Sequence, residues 1–515
     1  MAQSIAAVIG WAVLLGAGAA AVVALGRRAA ALGVLAPVAV GLGLRLVVMG
    51  IAHAGSLSLG DDGILFLDDR TYLNGAGKLA DFWRDGQTPD PSRFDILGTY
   101  QFGYQIFLTA IFTLGTDSVL LGKLANVLLG GVTVYLVARI AGRVLGSGAE
   151  VRAAWLAALA PTLVWWSAPM MKEALATALL AGGILAATYL PRPRAMTAFA
   201  AIVCVLAVVR GSAALALVVG AGMAVAIATR QAKSRWRSLR SALVAVGLVG
   251  GLLVYGVAVS QGNLDQLYRG YDMVVRQMID NHQGGDLTRV PYDVVKSLVT
   301  PLPWVFDSGT RNWDRALFPG MWLLFCAYPI AAVGAWRLRH RPELWLLLCT
   351  ASTAVVVNAV TAGFVFRQRS MVEPFVLLLA LAGAPSWRFA GRWAAGALAA
   401  VAVVAAIQSG SPVPPLVILA AATAVLLATS RAPSRPYEPL PHSPLVEGFR
   451  PSDRPPVPLL AALRAAAASG RAAVLRHAPQ AGARELRQAP VGQGPAEWIR
   501  RALAGVRPEQ RPDDR

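Results

Sequence analysis

The chain has 515 residues, of which 56% are hydrophobic and only 15% charged. A soluble globular protein carries about 25% charged residues, so a soluble enzyme, a disordered chain and a fibrous protein are excluded. Lys and Arg outnumber Asp and Glu by 47 to 28, a formal net charge of +19. On a polytopic membrane chain that excess marks cytoplasmic loops, and it does not call for nucleic acid.

Residues 4–25 form an apolar run with no charge before Arg27. The run is long enough to span a bilayer. With no basic n-region it reads as an extra N-terminal span, residues 1–28, more readily than as a cleaved signal peptide. Further runs fall at 30–52, 119–142, 152–168, 174–190, 196–209, 211–229, 241–260, 318–336, 343–363, 370–386, 392–408 and 413–429. The expected fold class is therefore an all-α polytopic membrane protein of about thirteen transmembrane helices, with two longer outer loops and a disordered basic tail. The short aromatic stretch Thr99 to Leu114 reads as an interfacial or re-entrant helix.

Arginines orient the runs. Arg27 and Arg28, Arg139, Arg143 and Arg152, Arg192 and Arg194, Arg230 to Arg240, Arg337 to Arg341, and Arg388 and Arg392 fall in every second connection. That alternation is the positive-inside pattern. It predicts a multi-pass cell-membrane protein with its N-terminus outside and its C-terminal tail cytoplasmic. The multi-span domain is then 29–429, with outer loops at 53–118 and 261–317. Residues 53–97 hold eight Asp against four Lys or Arg, and residues 261–317 hold seven Asp against six. The tail, 430–515, is rich in Pro, Ala and Arg, with 14 Arg against 8 acidic residues. Its first part reads as extended, and two later stretches read as short basic helices suited to an anionic leaflet. Cys204, Cys326 and Cys349 lie in apolar runs, the place for small buried hydrophobes rather than a metal site or disulfides.

Charges in or beside a span are costly and usually have a task. Asp61, Asp62, Asp68 and Asp69 interrupt apolar residues after the second run. On a continuous helix the two pairs, seven residues apart, share a face. Such carboxylates suit a general base, and they also suit a divalent ion, although nothing in the sequence requires one. Lys172 and Glu173 fall in an outer turn flanked by Pro161 and Pro169. Arg210 stands alone between two apolar runs, either snorkelling to the interface or holding a phosphate. Arg367 and Arg369 break the positive-inside pattern, which fits an anionic ligand, and Glu373 stands four residues after Arg369, where the two can pair. Arg45, inside the second run, needs a partner, and the Asp61–Asp69 group is one candidate. Outward Asp and Arg together point to one reaction class: Asp deprotonates or orients an acceptor while Arg neutralises a phosphate leaving group.

The order of these features resembles the integral-membrane glycosyltransferases of the C-type fold, among them protein O-mannosyltransferases and lipid A aminoarabinose transferases. The resembling pieces are Gly41 to Arg45, Asp68 to Ala76 with Tyr72, Gly103-Tyr104, Gly122 to Asn126, Pro161 before Lys172-Glu173, and Arg367 to Pro374, over roughly residues 33–390. The resemblance implies a polyprenyl-phosphate-linked sugar as donor and a glycan, lipid or protein as acceptor. It also implies catalysis by Asp69, with Asp68 next and Asp61 and Asp62 able to substitute. Tyr72, Lys172, Glu173, Arg210, Arg367 and Arg369 are then expected around the substrate. The chain departs from the family in carrying Asp-Asp pairs where Asp-Glu is usual, and in lacking a large soluble outer domain. A polysaccharide polymerase or ligase using lipid-linked sugars is the alternative, with the arginines weighing more than Asp69. A lipid or sugar transporter is a third reading.

Overall fold

A computed structural model describes residues 2–87, 102–115, 117–232, 318–362, 366–383 and 443–449. All lie in one compact unit, Met1–Arg450. The second expected outer loop, the runs at 241–260, 392–408 and 413–429, and the two basic stretches of the tail lie outside these residues. Every described element is helical.

Among the described residues, four helices are long and apolar enough to cross a membrane: Ala12–Ala31 within α1 (Ala2–Ala31), α2 (Leu35–Ser58), α5 (Val119–Leu145) and α9 (Pro193–Gln231). Between them lie α3 (Leu67–Arg84), α4 (Gly103–Leu114), α6 (Ala149–Leu159), α7 (Pro161–Trp165) and α8 (Glu173–Ala187). After α9 come α10 (Phe318–Leu338), α11 (Pro342–Ala362), a 3-10 turn (Phe366–Met371), α12 (Glu373–Gly383) and α13 (Pro444–Phe449).

The surfaces carry the signature of a membrane protein. In α2 the buried residues Val38, Gly41, Arg45, Met49, Ala52 and Ser56 recur at helical spacing. The opposite face is also apolar: Val47 is 57% exposed and Ile51 66%. In water those side chains would stay uncovered at about 1.5–3 kcal/mol each. Against hydrocarbon they cost nothing, and the buried stripe is free to be polar.

Helix α9 is broken at Arg210, whose φ of −160° and ψ of 91° are not helical. A straight helix of 39 residues would hold its ends about 58 Å apart. Here both ends meet one end of the bundle. Before the first arm, Arg192 and Arg143 lie over the Tyr189 ring, and Arg139 donates to the Tyr189 hydroxyl. After the second, Gln231 donates to the carbonyl of His340, and the adjacent Arg341 donates to that of Val144, at the end of α5. Midway, Ile202 and Leu217, one from each arm, both press on Gly183 of α8. The two apolar runs flanking Arg210 are thus two arms of a V, with Arg210 at the apex. Arginines cluster at the open, basic end, and the polar candidates at the other.

Tail residues 443–449 are not a free extension. α13 packs on α9 and α11, Leu445 is 1% exposed, and the buried Glu343 carboxylate accepts from the Ser443 hydroxyl (2.7 Å) and the Leu445 amide (3.2 Å). An apolar side chain and a buried carboxylate hold the segment that its prolines alone mark as extended.

Candidate functional site

The site begins where the chain leaves α2. Residues 59–66 are a turn, with Gly60, Asp62 and Gly63 all at positive φ. Glycine reaches that region without strain and aspartate is among the few side chains that tolerate it. The turn separates the two acidic pairs, so they do not share a helix face: Asp61 and Asp62 are exposed on the turn, while Asp68 and Asp69 open α3. Asp68 is half-buried and Asp69 is fully buried.

Asp69 Oδ2 accepts from the Leu65 amide at 3.2 Å, and Oδ1 has no hydrogen-bond partner among the described residues. Burial pushes its carboxyl up to about 7, against the downward pull of the Leu65 amide and the Lys123 ammonium. Lys123 comes from α5, is fully buried, and donates to the Gly63 carbonyl at 2.6 Å. That bond pins the turn carrying the chain into Asp69. The His53 ring packs on the same glycine.

Aromatic and amide groups extend the site. Tyr72, one turn along α3 from Asp69, meets Tyr104 of α4 edge to face, 5.0 Å between centroids. The Tyr104 hydroxyl donates to Asn126 Oδ1 at 3.2 Å, and the Asn126 amide donates to the carbonyls of Pro169 and Met171 at 2.7 and 2.8 Å. Asn126 lies three residues after Lys123, on the same face of α5. One face thus holds both the Asp69 turn and the loop that leads to Lys172 and Glu173.

Lys172, half-buried, precedes α8, and Glu173 is its buried first residue. Arg210 does not snorkel: it is 2% exposed and pairs with Glu173 at 3.1 Å. The apex of the V is pressed against α4, where a side chain on Gly103 would run into the Val208–Val209 backbone. Arg369, in the 3-10 turn packed on α8, pairs with Glu373 at 3.4 Å, and Thr162 of α7 also donates to Glu373. Arg367 lies in the same turn, and its side chain falls outside the described residues.

Arg45 finds a different partner from the Asp group. Pro161 has no N–H, and the helix breaks at Ala160 (ψ 113°). The carbonyls of Ala157 and Ala158 thereby lose their helical donors. The Arg45 guanidinium supplies them at 3.2 Å each, and reaches the Gly41 carbonyl and Ser167 Oγ at 3.0 and 3.3 Å. Its role is to cap a broken helix inside the membrane domain. Gly130 of α5 makes room, since a Cβ there would meet Arg45 Nε at 2.5 Å and Ser167 Oγ at 2.6 Å. Arg45, Ser167, Glu173, Thr177 and Ser370 line one small cavity together with Leu163, Trp166 and Ala174. Beside it Leu44, Val48, Ile51, Leu159, Pro161 and Trp165 line an apolar one.

The fold therefore brings together Asp69, Tyr72, Glu173, Arg210 and Arg369 at one end of the bundle and leaves Asp61 and Asp62 on the surface. The sequence reading gave no role to Lys123, Asn126, Thr162 or His53. A lysine and an asparagine three apart inside an apolar run were the available signal for the first two. Among the described residues no group of three or more His, Cys, Asp or Glu is placed to hold a metal ion. No family model, curated protein or solved structure matches the chain.

Proposed function

We propose that the protein is a membrane glycosyltransferase that moves a sugar from a polyprenyl-phosphate donor to an acceptor hydroxyl at the outer face of the cell membrane. The observation that carries this reading is Asp69, a buried carboxyl with one oxygen unpartnered among the described residues, pushed up to about 7 beside the Lys123 ammonium. Such a group exchanges a proton near neutral pH, as a general base must. In the proposed step Asp69 Oδ1 takes the acceptor's hydroxyl proton and the acceptor oxygen attacks the anomeric carbon. The bond from that carbon to the phosphate oxygen breaks, and prenyl phosphate departs with the electron pair. Lys123, Arg210 and Arg369 meet the charge that develops on it. The apolar cavity beside Arg45 offers a neighbouring surface for the prenyl chain.

The finer topology belongs to the same proposal. About thirteen spans, an outward N-terminus and a cytoplasmic tail agree with the separation of Arg139, Arg143, Arg192 and Arg341 from the Asp69 end. The resemblance to C-type-fold glycosyltransferases supports the reading through Asp69, Tyr72, Lys123 and Arg369.

Donor turnover by the full chain in liposomes tests it. Release of prenyl phosphate from a prenyl-phosphate sugar should fall about 10²–10⁴-fold in Asp69→Asn. Full activity in that variant removes the base assignment. If Arg369→Ala abolishes transfer while Asp69→Asn does not, the ligase reading is the better one. Lipid movement across the bilayer with no sugar transfer selects the transporter.

A further inference from the structure

Two buried ion pairs bear on how an anion would be held at this end of the bundle. Arg210 pairs with Glu173 and Arg369 with Glu373, and all four side chains are buried. Two features set them apart from fixed braces. Arg210 sits at the break of α9, where the helical backbone pattern is interrupted, and its Nε has no hydrogen-bond partner among the described residues. Glu373 is shared, since the Thr162 hydroxyl donates to it as well. That carboxylate keeps a donor when the guanidinium turns away. Glu173 and Ser370, the neighbour of Arg369, line the cavity together with Arg45.

Guanidinium binds carboxylate and phosphate through the same planar fork of N–H groups. A phosphate arriving here meets arginines that already carry an anion. On the phosphate reading given above, we propose that Glu173 and Glu373 are internal counter-anions that occupy the phosphate positions on Arg210 and Arg369, so that ligand phosphate and protein carboxylate compete for the same donors. The carboxylates keep two arginines neutralised within the membrane domain, where an unpaired charge is expensive. They also limit how tightly the departing prenyl phosphate is held, because each returning carboxylate displaces it.

The proposal fixes a sign. Removing a competitor tightens phosphate binding, whereas removing a brace weakens it. The probe is a prenyl phosphate, with the matching prenol and inorganic phosphate as the other arms, bound to the full chain in nanodiscs of neutral lipid. Glu173→Gln and Glu373→Gln are each expected to bind prenyl phosphate about tenfold or more tightly than the wild type, and to gain a larger thermal stabilisation from it. The prenol should bind all of them equally, and tightening with inorganic phosphate as well would assign the effect to the headgroup alone. Arg210→Ala and Arg369→Ala are expected to lose the phosphate-dependent part. Equal or weaker phosphate binding in both Gln variants overturns the competition and leaves the phosphate reading standing. Phosphate-independent binding by the wild type and every variant overturns both. Should a Gln variant not fold, Thr162→Val keeps both charges and removes the alternative donor of Glu373. It should weaken prenyl phosphate binding several-fold, and no change there also refutes the proposal.

Discussion

Asp69→Asn isolates the electrostatic cost of the site. The substitution keeps the shape and removes the ionisation. In the folded chain the carboxyl titrates at about 7, against an ordinary value of 3.8. The native state therefore holds its proton more tightly than the unfolded chain does. Below about pH 4 both states are protonated and the site costs nothing. As pH rises, the unfolded chain ionises first and native stability falls; above about pH 7 the loss is complete. At about 1.4 kcal/mol per pH decade, the interval from 3.8 to about 7 amounts to on the order of 4 kcal/mol. That is a large share of the 5–15 kcal/mol typical of a domain, so the site is paid for by packing elsewhere.

The assay is unfolding of wild type and Asp69→Asn in mixed micelles from about pH 4 to about pH 8, read as the difference between the two so that titrating groups that do not interact with Asp69 cancel. The wild type should lose stability relative to the variant across this window, and the difference should level off above about pH 7. A difference that is flat with pH, or that runs the other way, means that Asp69 is solvated or fully paired and refutes the reasoning. The same variant should lose transfer activity while gaining stability near pH 8, the usual trade at a functional site. Lys123→Met adds a second readout: without the ammonium that pulls its carboxyl down, Asp69 should titrate higher, and the wild-type decline should extend to higher pH.

Three further outcomes follow from the geometry. Arg45→Lys keeps the charge but loses the fork that reaches Ala157 and Ala158 together, and should cost about 2–4 kcal/mol in unfolding measurements. Arg210→Met alone should cost about 3–5 kcal/mol by leaving Glu173 without its counter-charge, while the double variant Arg210→Met/Glu173→Leu should recover most of it; an additive double variant rules out direct coupling. Leu445→Asp should undock α13, seen as loss of hydrogen-exchange protection at the amides of Leu445, Val446 and Glu447, which bond to Glu343 and Ser443.

What was legible in the sequence was whatever depends on local order. Long apolar runs give α2, α5 and the arms of α9, because a span is a property of about 20 consecutive residues. The Asp61–Asp69 group stood out because charges between apolar neighbours must be resolved somewhere, and the resemblance then pointed to Asp69 within it. The partners of those charges were not legible. Arg45 has acidic residues downstream of its own helix, yet besides Gly41 it is held by the carbonyls of Ala157 and Ala158, more than a hundred residues away, which become acceptors because Pro161 breaks the helix there. Asp62 and Asp69 share a face on a continuous helix, but the helix ends at Ser58 and the turn through Gly60, Asp62 and Gly63 separates them. The tail segment 443–449 shows the same limit, since its anchor is a single glutamate a hundred residues earlier.

The same distinction governs how the site's charge is read. By sequence, Arg210 and Arg369 are unclaimed cations awaiting a phosphate. In the fold each stands against a carboxylate, Arg210 against Glu173 and Arg369 against Glu373, so that each pair is close to neutral. A near-neutral array attracts an anion only weakly from a distance, so long-range steering does little here. On the proposed phosphate reading, discrimination arises at contact, where a phosphate offers more acceptor oxygens to a guanidinium fork than a carboxylate does. Binding then depends on exchange between nearly equal partners. Glu173→Gln and Glu373→Gln should therefore raise affinity and Thr162→Val lower it, whereas changes at Asp69 should act on turnover.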